Sequence, residues 1–128
     1  MSKTTILVVD DHAATRTAVV SLLEMTLRGC NLLTADSAEQ ALSLCVANFP
    51  ALVIMDIALP GMDGFEAVRQ LKRMRPQVRV VMHSTSDMSV YREESVAAGA
   101  DAFVSKGRGS SELVSVILRL LPAIAPSS

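Results

Sequence analysis

The chain has 128 residues, half of them hydrophobic, and a formal net charge of −1 at pH 7. This length and hydrophobic content predict one folded domain with a buried core and argue against a disordered segment. The near-neutral charge gives the whole molecule no electrostatic attraction to nucleic acid. The two cysteines, Cys30 and Cys45, have no CxxC spacing, so we expect reduced thiols and a cytoplasmic protein. The first apolar run is too short for a signal peptide or a membrane span.

Apolar runs and helical patterns alternate five times along the chain. The predicted strands are residues 4–9, 31–34, 52–55, 78–83 and 102–105. The predicted helices are residues 13–27, 38–48, 64–75, 88–98 and 110–121, the last beginning at Ser110 or Ser111. Residues 1–121 are predicted to form the domain, followed by a frayed tail or the start of a linker over residues 122–128.

Local signals mark the ends of several predicted helices. Ser37, with Gln40 three residues later, predicts a capping box at the second helix. Asp63 predicts the start of the third helix in the same way. Gly29 is predicted to close the first helix, and Gly99 the fourth.

The alternation of strands and helices predicts an α/β fold with a doubly wound, five-stranded parallel sheet and five helices on its two faces. In such sheets ligands bind beyond the carboxyl ends of the strands, where the strand order reverses. For the flavodoxin-like order 2-1-3-4-5, that place lies between the first and third strands.

Three acids occupy this predicted place. Asp10 and Asp11 follow the first apolar strand, and Asp56 follows the third. Each alone could be a solvated loop or turn residue, but their coincidence at neighbouring strand ends favours a shared site. Clustered carboxylates require a cation or a shared proton, and oxygen ligands favour a hard ion such as Mg²⁺.

Two further polar residues close neighbouring strands. Ser84 ends the fourth strand and Lys106 follows the fifth, so both are expected at the same edge as the acids. A hydroxyl and an ammonium suit a phosphoryl group beside a metal. The alternatives are a turn serine and a solvated lysine.

Taken together, these features resemble the receiver domain of two-component response regulators, with its CheY-like fold, over essentially the whole chain. The matching segments are Val8–Asp11, Met55–Asp56, Leu59–Gly64, Ser84 and Gly99–Lys106. The resemblance implies that Asp56 accepts a phosphoryl group from a sensor histidine kinase or a phosphotransfer protein. It implies a signalling domain with at most slow self-dephosphorylation, rather than an enzyme.

The resemblance also assigns roles to single residues. Asp11, Asp56 and the backbone carbonyl of Ala58 would bind Mg²⁺, for which Mn²⁺ can substitute, and Asp10 would act through a metal-bound water. Lys106 would pair with the phosphoryl group.

The same resemblance assigns a conformational switch to two residues. Ser84 would move to hydrogen-bond the phosphoryl group, and Phe103 would turn inward when it does. The alternative for Phe103 is an ordinary half-buried core aromatic.

Two features near the site resemble regulators of the NarL/LuxR type. One is the run from Asp10 to His12, and the other is Gly107 in place of the proline that often follows the lysine. His12 could itself be read as a metal ligand, but Mg²⁺ prefers oxygen, so a solvated histidine is the favoured interpretation. His83 is predicted to point away from Ser84 and to pack under a helix.

Helix five carries more apolar residues than one docking stripe needs. This predicts a contact with a second copy of the chain or with an output domain, and the alternative is a deeply covered helix. Two functional alternatives also remain: a pseudo-receiver that binds partners without chemistry, and a small phosphohydrolase. Ala58 argues against the phosphohydrolase, because aspartate phosphatases of the dehalogenase-like type have a second aspartate at that position.

Overall fold

Five parallel strands form the central sheet in the computed structural model, which describes residues 3–86, 88–108 and 110–126. The strands are β1 (Thr4–Val9), β2 (Leu27–Arg28), β3 (Cys30–Ala35), β4 (Leu52–Asp56), β5 (Arg79–Ser84), β6 (Ala102–Ser105) and β7 (Ala125–Pro126). The helices are α1 (Ala13–Thr26), α2 (Ala38–Asn48), α3 (Gly64–Met74), α4 (Ser89–Ala98) and α5 (Ser110–Leu120), with a short 3-10 turn at Lys106–Arg108. The sheet order is β3-β1-β4-β5-β6, which confirms the predicted topology.

The central strands are apolar on both faces because helices cover both sides of the sheet. Alternate side chains therefore belong to two separate cores. The core under α2, α3 and α4 receives the strand residues Leu7, Val9, Val53, Met55, Val80 and Met82. The core under α1 and α5 receives the strand residues Ile6, Val8, Leu52, Ile54, Val81 and Val104. Each fully buried branched side chain contributes roughly 1.5–3 kcal/mol, which fixes the register of the central strands.

This register brings the chemically distinctive strand ends to one edge. In the β1–β4 pair Val9 lies beside Met55, so Asp10 and Asp56 leave the sheet at the same level. The neighbouring β5 and β6 pair in parallel and end at this edge as well, with Lys106 immediately beyond β6.

Asp101 anchors the opposite end of β6. Its carboxylate accepts hydrogen bonds from Lys72 Nζ at 2.8 Å, Arg79 Nη1 at 3.3 Å and the Val80 N–H at 2.8 Å. These contacts tie α3 and β5 to the residue that precedes β6. They fix the level at which Phe103 and Lys106 emerge.

The predicted helix caps at α2 and α3 are present. Ser37 Oγ accepts a hydrogen bond from the Gln40 N–H at 3.1 Å, and Asp63 Oδ1 accepts one from the Glu66 N–H at 2.9 Å. The Gln40 side chain reaches back to the N–H of Asp36 at 2.8 Å, one residue earlier than a capping box requires. Gly99 ends α4 in the left-handed conformation, as predicted, with φ of 102°.

The end of α1 and the C-terminal segment differ from expectation. The helix ends at Thr26 and is capped by Leu27 in an extended conformation, so Gly29 is not its cap. Leu27–Arg28 instead pairs antiparallel with Ala125–Pro126, and Ile124 is buried in the core under α1 and α5. The described part of the predicted frayed tail, residues 122–126, is thus held to the domain by strand pairing and apolar burial. Ser127 and Ser128 lie outside the described residues.

Within residues 3–86, 88–108 and 110–126, no helix has both the length and the apolar character that a bilayer crossing needs.

Candidate functional site

Four polar side chains converge at the carboxyl end of the sheet. Asp10, Asp11, His12 and Asp56 each place one potential ligand atom within 4.8 Å of all the others. Asp10 and Asp56 are buried, whereas the Asp11 side chain is 29% exposed and that of His12 is 70% exposed. The predicted acid cluster therefore exists, with two members in the protein interior and two at its mouth.

Asp10 is held on three sides. Its Oδ1 accepts a hydrogen bond from the His12 N–H at 2.9 Å, and its Oδ2 accepts one from Lys106 Nζ at 2.8 Å. Arg16 donates to the backbone carbonyl of Asp10 at 2.7 Å. The first two bonds orient the carboxylate, and the Arg16 bond holds the backbone at the end of β1.

Asp56 has a different environment at the end of β4. Its Oδ1 accepts a hydrogen bond from the Ala58 N–H at 3.3 Å, and its Oδ2 lies 3.4 Å from Lys106 Nζ. The ammonium group of Lys106 therefore lies between the two buried carboxylates, closer to Asp10.

The pKa values of the two buried acids move in opposite directions. Burial raises the pKa of Asp56; the charge of Lys106 opposes this effect, and the charge of Asp10 adds to it. Burial also acts to raise the pKa of Asp10, but hydrogen bonds from Lys106 and the His12 N–H outweigh it and leave this pKa lowered. Asp10 is thus the better-stabilised carboxylate, and Asp56 is the carboxylate with fewer donors.

The donor set fits a hard divalent cation. Three of the four clustered residues are carboxylates, and their oxygens lie close enough together to share one ion. Mg²⁺ prefers oxygen ligands and is commonly bound by one or two carboxylates together with waters. The partly open side formed by Asp11 gives room for such waters.

Ser84 and Phe103 lie near this edge on β5 and β6. Ser84 is buried, pairs with Ser105 across the sheet, and its Oγ accepts a hydrogen bond from the Ser86 N–H at 3.1 Å. Phe103 is half-buried against the core under α2, α3 and α4. Val104 lies in the core on the other face, as the strand alternation predicts.

Sequence reasoning missed two residues that shape the site. Arg16 fixes the backbone of Asp10, although a cation in the first turn of a helix is unfavourable with respect to the helix dipole. Gly64 packs directly on the end of β4, because a Cβ there would lie 2.4 Å from the carbonyl oxygen of Asp56. The glycine in the loop segment Leu59–Gly64 was a signal for this close approach.

His83 packs under α1 and α5, which confirms the prediction that it lies beneath a helix. It is buried and lines a cavity of about 250 Å³ between α1 and α5, together with Val19, Lys106 and Leu113. Burial lowers its pKa to about 4, and the nearby charge of Lys106 acts in the same direction.

We expect His83 to make folding less favourable in mildly acidic solution. Its pKa is about 4 in the folded protein against 6.5 ordinarily, so between these values the unfolded state binds a proton that the folded state does not. The free energy of unfolding is therefore unaffected by His83 above about pH 6.5. It falls by on the order of 3 kcal/mol as the pH drops toward 4. Urea unfolding at several pH values, compared with His83→Leu, isolates this contribution because both proteins share all other titrating groups. Parallel stability curves for the two proteins would contradict it.

Comparison with known proteins gives a consistent result. The family model of the response regulator receiver domain matches residues 6–118. The chain is similar to the response regulator GacA of Pseudomonas aeruginosa, with 34% identity over 88% of this chain and 52% of that protein. It is also similar to the response regulator UvrY of Escherichia coli strain K12, with 32% identity over 88% of this chain and 51% of that protein. The chain spans about half the length of the curated relatives it matches.

Solved structures match the fold over nearly the whole chain. A CheY-like receiver domain protein from Methanospirillum hungatei superposes with a TM-score of 0.87 and 29% identity, covering 95% of this chain and 96% of that one. A LuxR-family two-component response regulator from Aurantimonas superposes with a TM-score of 0.87 and 31% identity, covering 95% and 87% of the two chains.

Proposed function

This chain belongs to the family of response regulator receiver domains, and we propose that it accepts a phosphoryl group on Asp56. The observation that carries the proposal is the geometry of Lys106, whose ammonium nitrogen lies 2.8 Å from Asp10 and 3.4 Å from Asp56. A cation between two buried acids offsets part of their charge before the reaction and is available to an incoming phosphoryl oxygen. Because the three acids, Ser84 and Lys106 are all present, a pseudo-receiver without chemistry is disfavoured.

The transfer is a displacement at phosphorus. A carboxylate oxygen of Asp56 forms the new P–O bond while the P–N bond to the donor's histidine breaks, and the electron pair stays on that imidazole nitrogen. Lys106 pairs with one phosphoryl oxygen. The Ala58 N–H, already 3.3 Å from Asp56 Oδ1, orients the attacking carboxylate.

We assign a magnesium site to the acid cluster. Asp11, Asp56 and the backbone carbonyl of Ala58 would hold the ion directly, and Asp10 would hold it through a water; Mn²⁺ can substitute. The ion, when bound, supplies positive charge that offsets the negative charge of the acids and of the transferred group. His12 is not assigned as a ligand, because its imidazole is less suited to Mg²⁺ than the carboxylates around it.

We further propose that phosphorylation biases the surface of α4, β6 and α5. The phosphoryl group adds about −1.5 to −2 charge at the sheet edge. Moving an equilibrium from about 1:99 to 99:1 takes about 5.5 kcal/mol of differential stabilisation. Charge-assisted bonds from Ser84, Lys106 and the metal contribute roughly 1.5–3 kcal/mol each, so two or three of them suffice.

We assign two kinds of partner. A sensor histidine kinase or phosphotransfer protein would approach the edge that carries the acids. A second copy of the chain or an output domain would contact α5, where a groove against α1 is lined by Leu22, Thr26, Val114 and Leu118. The apolar side chains of α5 that the structure describes are buried or half-buried, so the contact would use this groove and not a fully exposed stripe.

Acetyl phosphate treatment with Mg²⁺ present tests the proposal. We expect one phosphoryl group per chain on Asp56 by intact-protein and peptide mass spectrometry, with phosphate release from acetyl phosphate limited to about a single turnover per chain. Continuous turnover limited only by substrate would indicate a phosphohydrolase. No uptake would indicate a pseudo-receiver. Size-exclusion chromatography of the same samples reports whether phosphorylation changes the oligomeric state.

A further inference from the structure

The guanidinium group of Arg92 covers the ring of Phe103. Its Cζ lies 4.5 Å from the ring centroid, within the range of a cation–π interaction. Arg92 is an exposed residue of α4, and Phe103 is a half-buried residue of β6. The contact therefore fastens α4 to the strand that leads to Lys106.

A short series of hydrogen bonds connects Ser84 to the start of α4. The Ser84 hydroxyl oxygen accepts from the Ser86 N–H at 3.1 Å, and the Ser86 hydroxyl oxygen accepts from the Met88 N–H at 3.4 Å. Met88 is the N-cap of α4, and its carbonyl accepts from the Arg92 N–H at 3.3 Å. These bonds link the Ser84 hydroxyl, through Ser86 and Met88, to the turn of the helix that carries Arg92.

We propose that Arg92 is a positioning residue that stabilises the unphosphorylated arrangement of α4. The inference rests on the proposed function, in which the Ser84 hydroxyl moves to a phosphoryl oxygen. That movement draws Ser86 and the first turn of α4 with it, so Arg92 leaves the ring of Phe103. The contact opposes switching and adds to the stability of the unphosphorylated arrangement.

The size of the effect follows from the exposure of the pair. A cation–π contact at an exposed site changes an equilibrium by about two- to five-fold. Removing the Arg92–Phe103 contact should raise the affinity for a phosphoryl mimic by that factor. The unphosphorylated arrangement would then be less stable, so less free energy is needed to leave it when the mimic binds. The contacts of Arg92 described above are with Phe103 and Met88, and none of them involves Asp56 or Lys106.

The chain contains a matched control for this contact. Arg75 Cζ lies 4.2 Å from the ring centroid of Phe49, at the opposite end of the strands from the acids. The chain has three phenylalanines, so labelling with 4-fluorophenylalanine gives three ¹⁹F resonances. In the metal-free, unphosphorylated protein, Arg92→Ala should shift the Phe103 resonance alone, and Arg75→Ala should shift the Phe49 resonance alone.

Titration with BeF₃⁻ in the presence of Mg²⁺, followed by the same ¹⁹F signals, tests the coupling. Arg92→Ala should bind about two- to five-fold more tightly than the parent protein, Arg92→Lys should lie between them, and Arg75→Ala should match the parent. An unchanged or weaker affinity of Arg92→Ala, with normal binding by the parent, overturns this inference alone. If the parent itself fails to bind BeF₃⁻, the proposed function is overturned and the inference falls with it.

Discussion

Replacing Asp56 with asparagine is expected to reduce phosphoryl uptake from acetyl phosphate to below detection while the domain stays folded. The amide has nearly the shape of the carboxylate but lacks the nucleophilic oxygen that forms the P–O bond. Lys106 retains Asp10 as a partner at 2.8 Å, so the substitution leaves no buried cation unpaired. Intact-protein mass spectrometry measures uptake, and circular dichroism with thermal unfolding measures the fold.

Asp63→Asn is the matched control for this experiment. Asp63 caps α3 through the Glu66 N–H, and asparagine caps helices about as well as aspartate. We therefore expect this variant to accept a phosphoryl group from acetyl phosphate to the same extent as the parent protein. Phosphorylation of Asp56→Asn to the level of the parent protein would show that another residue is the acceptor.

Gly64→Ala is expected to lower the free energy of unfolding by about 3 kcal/mol and the melting temperature by about 10 °C. A Cβ at this position would lie 2.4 Å from the Asp56 carbonyl oxygen and 3.0 Å from the Ile57 Cα. Both neighbours are backbone atoms, so the overlap is relieved only if α3 moves away from the end of β4. Thermal and urea unfolding measure the loss, and slower phosphoryl uptake should accompany it because Asp56 moves.

Gly107→Ala provides the comparison. The nearest atom to a Cβ there is Ser105 Oγ at 3.9 Å, an ordinary contact, so the stability should change by no more than about 0.5 kcal/mol. Equal stability of the two alanine variants would show that the packing of α3 on β4 is looser than these distances indicate.

The sequence predicted the long elements well because their signals are local. All five strands of the main sheet were predicted within two residues of their ends, since apolar runs between polar turns mark them directly. The side-chain cap of α2 was predicted because Ser37 and Gln40 have the right spacing. By contrast, β2 and β7 have two residues each, too few to show any period.

The pairing of β2 with β7 depends on tertiary structure. Leu27–Arg28 and Ala125–Pro126 lie about a hundred residues apart, and they meet only because α1 and α5 pack side by side. Ile124 then enters the core under these helices. A frayed tail was the natural expectation because nothing within the segment itself indicates a partner.

The sequence by itself determined which residues meet at the candidate site. Asp10, Asp56 and Lys106 follow buried strands, and burial fixes parallel register, so their positions at one edge follow from the order of the elements. Only the tertiary structure decided how they interact. The preference of Lys106 for Asp10, the contact of Gly64 with β4 and the placement of Arg92 over Phe103 depend on how the helices and loops pack against the sheet. Differences of less than an ångström in that packing select one partner over another, and no local pattern of residues encodes them.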